Sequence, residues 1–362
     1  MTMIIPRRNV SKLSARSAKI TVEPADSEST DRYHHANEGW LGVPVILSSA
    51  GQLTARHGEE PLRKLHQLLT RIREEPDKTR FLLSRALWAS GLCRFITFSF
   101  PAGYRMRFYP SSVSAGLWRR RNFRAEDADF VGAYLQPGET FVDVGANVGQ
   151  LSLAAAMRVA RSGRVIAIEA HPRICKYLLG NIRLNGLTIE VHNTAIGSTD
   201  GELVFTDFRS DDMNFACATP PAGSASFRVP VRPLDSIVGN RPVDLLKVDV
   251  EGFEVDLLKG AARTVSNCRC LYIEDSELNL RRAGTSRAEL YDRLINHGFG
   301  LYHLRAGRLE PASPDIPGPD DDNLIAVRPP ALSDLLARTG LRLAQLTSPS
   351  PADRRLPSAR LA

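Results

Sequence analysis

Cysteine is scarce: five in 362 residues, with no pair of CxxC motifs among them. That excludes a zinc ribbon and a disulfide framework as organising devices, and Cys268 and Cys270 read as small buried residues at the start of a strand. A reducing, cytoplasmic setting is expected. A long uninterrupted apolar run is also missing. The opening MTMIIPRRNV lacks the apolar core of a secretory leader. The most apolar stretch, FLLSRALWASGLCRFITFSF at 81–100, contains Arg85 and Arg94. It therefore reads as an amphipathic core helix rather than a span, with membrane-surface association as the alternative. Charge of one sign is only mildly in excess, 47 Lys and Arg against 40 Asp and Glu. The resulting +7 suits an anionic partner without locating one.

What is present is organised. Residues 1–58 are polar, with little periodicity apart from WLGVPVIL, and are expected to be poorly ordered. Residues 59–99 read as a helical lead-in, with PLRKLHQLLTRIREE at 61–75 and a second helix over 81–96. The cluster RRRNFR at 119–124 has no nucleic-acid motif beside it and reads as a solvated helix start. From Glu139 strands and helices alternate: TFVDVGA, then NVGQLSLAAAMRVAR; RVIAIEAH, then ICKYLLGNIRLNG; then IEVHNTAIG as a third strand. This is the pattern of βαβ units and a parallel sheet. GELVFTDF and SFRVPVRPLDSI form an insertion expected near the active face. LLKVDVEGFE, CLYIEDSE, GFGLYHLR and NLIAVRP supply strands four to seven. Residues 331–362 read as a Pro/Arg-rich tail with one helical piece, and 100–330 as the catalytic domain.

One absence inside the motif DVGANVG is informative. Asn147 stands where a dinucleotide-binding GxGxxG places its second glycine, the residue that lets backbone approach a pyrophosphate. A nicotinamide oxidoreductase is therefore disfavoured. The turn of Gly145 and Gly149 still leads into a helix N-terminus, and Asp143 before it would repel phosphate but attract an ammonium group. That combination suits S-adenosyl-L-methionine. Glu169 closes the next strand, 20 positions after Gly149, where an acid commonly accepts hydrogen bonds from ribose hydroxyls. The plainer readings are tight strand-to-helix packing for the glycines and a turn conformation for Asn147.

LLKVDVEGFE breaks the rule that parallel strands covered on both faces read as continuous apolar runs. Strand alternation would put Lys247, Asp249 and Glu251 on one face and Val248 and Val250 on the other. A structural ion-pair network is the plainer reading. Three charges at the carboxyl end of a central strand also suit chemistry, with Asp249 as first choice for base or hydroxyl acceptor and Glu251 as second. Lys247 lies deeper and is expected to pair with a carboxylate, because an unpaired buried ammonium is costly. His171 and Glu274 are further candidates. No metal is required by the spacing, although Asp211, Asp212 and Asp249 form a conceivable set.

FVDVGANVGQLSL, IEAHPRICKYLLGNIRLN, NTAIG, RPLDSI and LLKVDVEGFEVDLLKGA, in this order, resemble the FkbM family of S-adenosylmethionine-dependent methyltransferases over about residues 100–330. The resemblance implies an α/β class I methyltransferase fold, Rossmann-like, with a seven-stranded mostly parallel sheet, one strand antiparallel, and helices on both faces. It implies O-methylation of a hydroxyl on a sugar, glycolipid or polyketide-type natural product. Carried over residue by residue, it makes Asp143, Gly145, Asn147 and Gly149 the methionine-side and backbone contacts, Glu169 the ribose ligand, and Ala195 part of the adenine wall. Two departures stand out: Ala170 replaces the usual proline after the glutamate, and the loop SDDMNFACATPPAGSAS differs from the short serine-rich loop expected. A nucleic-acid methyltransferase is the competing enzyme reading, disfavoured because VEGF stands where an [DN]PP[YFW] turn would be. A non-catalytic cofactor-binding module is the competing reading of another class.

Overall fold

A computed structural model describes residues 75–120, 122–207, 225–314 and 322–344, with isolated positions 66, 70, 72, 73, 214, 216 and 217. The expectations for residues 1–58, for Asp211 and Asp212, and for the end of the chain beyond 344 lie outside the described residues. In chain order the strands are β1 (Thr97–Ser99), β2 (Arg105–Arg107), β3 (Thr140–Val144), β4 (Arg164–Ile168), β5 (Glu190–His192), β6 (Ala195–Ile196), β7 (Gly201–Thr206) and β8 (Ala216–Cys217). They continue with β9 (Ser226–Arg232), β10 (Val243–Val248), β11 (Cys268–Asp275), β12 (Gly300–Arg305), β13 (Arg308–Pro311), β14 (Asp322–Val327) and β15 (Arg342–Leu343).

The main sheet has the order β15-β13-β12-β14-β11-β10-β3-β4-β5. The seven members from β12 to the edge strand β5 are the seven expected strands. β14 inserts between β11 and β12 and runs antiparallel to both, while β10, β3, β4 and β5 pair in parallel. This is the class I methyltransferase arrangement. Two edge strands raise the described count from seven to nine: β13 folds back on β12, and β15 pairs with β13. Alternation of side chains fills both faces. Val142, Val144, Leu246, Val248, Leu271 and Ile273 pack on one side, and Phe141, Leu245, Cys270 and Tyr272 on the other. From β3 the chain winds outward through β4 and β5, then returns to β10 on the opposite side. The carboxyl ends of β3 and β10 therefore form a switch point, the usual ligand crevice of such sheets.

Four departures from the sequence reading have local causes. IEVHNTAIG is two strands, because Asn193 spends its amide on the carbonyl oxygens of Glu169 and Ala170 and the chain turns away from the main sheet. β6 then joins β9, β7 and β8 in a separate small sheet, which is how the insertion is built. The helix expected over 81–96 ends at Ser90, where Gly91 adopts a left-handed cap at φ 71°. A short 3-10 turn and the β1–β2 hairpin follow it. Finally, the helix Pro329–Thr339, part of which falls in the expected tail, packs on the domain. Leu335 is buried, and Arg338 reaches Glu139 at 2.6 Å. Among the described residues no helix is long and apolar enough to cross a membrane.

Candidate active site

Register sets the chemistry. β10 lies beside β3 so that Lys247 is opposite Asp143, on the same sheet face as Phe141 and Leu245. The two strands approach so closely beyond this pair that a Cβ on Gly145 would lie 1.8 Å from the Asp249 carbonyl oxygen, and Gly145 has φ 78°. Only glycine fits both conditions. Gly149 caps the helix Gln150–Val159, and a Cβ there would lie 2.5 Å from Leu178. Between them Asn147 is left-handed at φ 49°, as a turn asparagine can be. Its N–H donates to one oxygen of Glu169 at 2.8 Å, and the His171 N–H donates to the other at 2.8 Å. The glutamate at the end of β4 is thereby held rigidly beside the glycine turn.

The charged segment is rearranged relative to expectation. β10 stops at Val248, so Lys247, Asp249 and Glu251 do not share a strand face as the alternation predicts. Lys247 remains in the strand, with its ammonium 3.3 Å from Asp249 and 3.6 Å from Asp143 and donating to the Gly145 carbonyl at 2.8 Å. Asp249 is the first residue past the strand. Glu251 sits in a turn at φ 55° and accepts from Asn279 Nδ2 at 2.9 Å. Val250, expected in the core, is half-buried and lines the cleft. Oxygens of Asp249, Glu251 and Glu274 lie within 4.8 Å of one another. Among the described residues these three could hold a cation.

Their crowding separates the acids. Burial raises the Asp249 carboxyl, but Lys247 and then Arg124 outweigh it and hold it below the ordinary range. The ammonium of Lys247, which burial alone would lower, is held above its ordinary value chiefly by Asp249 and Asp143. Glu251 goes the other way: burial first, and then the negative charge of Asp249, push it up to about 8. Below the turn, Glu254 is 1% exposed, and its Oε1 accepts from the Val250 and Gly252 N–H groups. Burial still lifts it to about 7. A carboxyl raised on folding contributes stability at low pH that is lost as pH rises through the folded-state value. Glu254→Gln keeps an acceptor oxygen and removes the charge. Thermal melts should coincide with wild type at pH 4, with the variant the more stable at pH 8 by on the order of 3 kcal/mol. Equal melts at pH 8 would contradict this.

The cleft in front of these groups encloses about 790 Å³ and is open to solvent. Ile168, Ala195, Ile196 and Phe253 supply apolar wall, and Leu203, Phe205 and Asn214 come from the small sheet and its loop. Glu169, Asn147, Asp249 and Glu251 line it, as does His171. His171 is 3% exposed, takes the Arg173 N–H on Nδ1 and faces Asp207 through Nε2 at 3.1 Å, which makes it a support for the wall. A second hollow of about 290 Å³ lies behind Gly145 and is lined by Asp143, Gln150 and Lys247. Asp143 Oδ1 is buried there with no hydrogen-bond donor among the described residues.

Arg124 lines both hollows and lies 3.9 Å from Asp249. The sequence reading placed it in a solvated helix start and missed it. Its neighbours Arg119 and Arg120 pair with Glu75, whereas Arg124 takes φ 52° at the mouth of the helix Ala125–Tyr134 and turns to the cleft. Asn279 and the small-sheet residues were missed as well, because loop contacts of this kind leave no periodic signal.

Residues 143–301 match the model of the methyltransferase FkbM domain. Over that stretch, just under half of its length, the chain is similar to this domain family. Two curated proteins are similar to it. Methyltransferase 1 of Beauveria bassiana is 28% identical over 148 residues, 34% of this chain and 59% of the relative. The AMB antimetabolite synthetase AmbE of Pseudomonas aeruginosa is 27% identical over 264 residues, 61% of this chain and 12% of the relative. The chain thus matches less than two thirds of either relative's length. Among solved structures, Aeropyrum pernix fibrillarin with bound S-adenosyl-L-methionine is 12% identical, with 56% of this chain and 74% of that one covered at a TM-score of 0.34. The cofactor of an FkbM domain is S-adenosyl-L-methionine, as the sequence implies, and the residues fit it. The smaller hollow offers an unsatisfied carboxylate oxygen for an ammonium group, and the cleft offers Glu169 for a ribose and an apolar wall for a base.

Proposed function

We propose that the FkbM-like domain methylates a hydroxyl oxygen on a sugar, glycolipid or polyketide-type acceptor, a small molecule or glycan rather than nucleic acid. The observation that carries this reading is the pair of neighbouring carboxylates of opposite character, Asp249 held ionised and Glu251 held near neutrality, in the cleft beside the glycine turn. Bound at that turn, S-adenosyl-L-methionine would supply an activated sulfonium methyl for transfer to the acceptor oxygen. Glu169, held in place by the Asn147 and His171 N–H groups, accepts from the ribose hydroxyls. Asp143 receives the ammonium, and Lys247 keeps Asp249 charged. The sequence ranks Asp249 first as base, but the electrostatics favour a different division: Asp249 orients the hydroxyl, and Glu251 takes its proton. Positioning of this kind can supply roughly 7–11 kcal/mol, and a base about 10²–10⁴-fold. Buried free thiols at Cys93, Cys175, Cys268 and Cys270 suit a cytoplasmic setting.

The test is release of S-adenosylhomocysteine from a panel of hydroxylated acceptors, alongside calorimetry of cofactor binding. Glu169→Ala should weaken the cofactor by about tenfold or more, because it removes a rigid charged acceptor. Asp249→Ala should abolish turnover with little loss of cofactor affinity. The reverse assignment, or turnover on mixed RNA and DNA alone, sinks the scheme.

A further inference from the structure

The helix Lys78–Ser90 is apolar on both sides. Phe81 and Ser84 are buried and Leu87 and Trp88 half-buried, yet Leu82, Leu83, Ala86 and Ala89 face outward, with Leu82 and Leu83 each 48% exposed. Helical spacing places these four on one stripe, and no charged residue interrupts it. The 3-10 turn Leu92–Phe95 extends it with Leu92 at 55% and Phe95 at 74% exposure. Surface helices ordinarily turn charged residues outward, and a contiguous apolar patch marks a place of interaction.

Charge identifies the partner. Residues 78–124 contain ten lysines and arginines and no aspartate or glutamate, which leaves 37 basic against 40 acidic residues in the rest of the chain. Three of the ten are engaged elsewhere, Arg119 and Arg120 with Glu75 and Arg124 toward Asp249, and the others carry the segment's excess. Lys78 and Arg94, both exposed, stand near its two ends. We propose that this face docks on an anionic lipid surface, with the leucines and Phe95 entering the boundary between headgroups and acyl chains and the cations meeting the headgroup charges. A second copy would bring two equally cationic surfaces together, which opposes self-association. Single-stranded nucleic acid is read by stacking on aromatic rings, and most of the exposed side chains here are aliphatic.

Vesicle flotation of the full chain tests this and does not depend on the methyl-transfer reading. The protein should float with phosphatidylcholine vesicles containing phosphatidylglycerol, remain behind with phosphatidylcholine alone, and detach as salt rises. Leu83→Ser with Phe95→Ser should lower the bound fraction by about tenfold, and Arg94→Gln by a smaller factor, with cofactor affinity and melting temperature unchanged as the check on folding. Absence of flotation at low salt overturns the proposal, as does undiminished flotation of the double-serine variant. So does a dimer in sedimentation that the same variant dissolves, or retention of RNA that it abolishes.

Discussion

Lys247→Met should destabilise the fold by about 3–5 kcal/mol, the range seen when one partner of a buried ion pair is removed. Lys247 is 5% exposed, and its ammonium is the only cation recorded within salt-bridge distance of Asp143 among the described residues. Methionine fills similar volume, so the loss is electrostatic rather than a cavity. Asp143, 1% exposed, would keep its bond from Ser152 but face Asp249 without an intervening charge. Denaturant unfolding measures the loss, and Asp143→Asn in the same chain should recover a substantial part of it, because the stranded charge is then gone. A cost under about 1 kcal/mol, or no recovery, would show that the pair is solvated in a way that burial does not reveal. The variant should also raise the Asp249 carboxyl, whose largest lowering influence is Lys247.

The succession of strands along the chain and the glycine turn of the candidate site were legible because they rest on periodic signals and a local motif. Val142, Val144, Leu246 and Val248 mark buried parallel strands by composition alone, and DVGANVG with Glu169 gives the strand-to-helix turn and the acid on the neighbouring strand. What alternation could not give was the end of β10. A period of two assigns Glu251 to the face of Lys247 only if the strand continues, and it stops at Val248, where the chain enters a turn that Glu254 holds from below through two backbone N–H groups. Arg124 was hidden for a related reason. Four of the six residues in RRRNFR are arginines that composition alone cannot tell from an ordinary cationic surface, and the one that reaches the cleft, Arg124, is the one with a left-handed φ. The small sheet was visible as two extended stretches, but its contribution of Leu203 and Phe205 to the cleft depends on β6 leaving the main sheet, which Asn193 and Thr194 bring about through side-chain bonds to backbone oxygens.

Glu251→Gln should lower kcat by about 10²–10⁴-fold, the usual contribution of a general base, while leaving cofactor affinity nearly unchanged. The stronger discriminator is pH. The group that takes the proton must be ionised, so wild-type kcat/KM should rise with pH through about 8, the value to which burial and Asp249 push the Glu251 carboxyl. In Glu251→Gln that limb should vanish. In Asp249→Asn the residual activity should show the limb at lower pH, because the second-largest influence raising Glu251 is the charge of Asp249. If Asp249 itself were the base, its lowered carboxyl would already be ionised at neutral pH, and no limb near 8 would exist to move. A profile flat from pH 6 to 9 would therefore return the base to Asp249 and leave Glu251, with its bond from Asn279, as a neutral wall of the cleft.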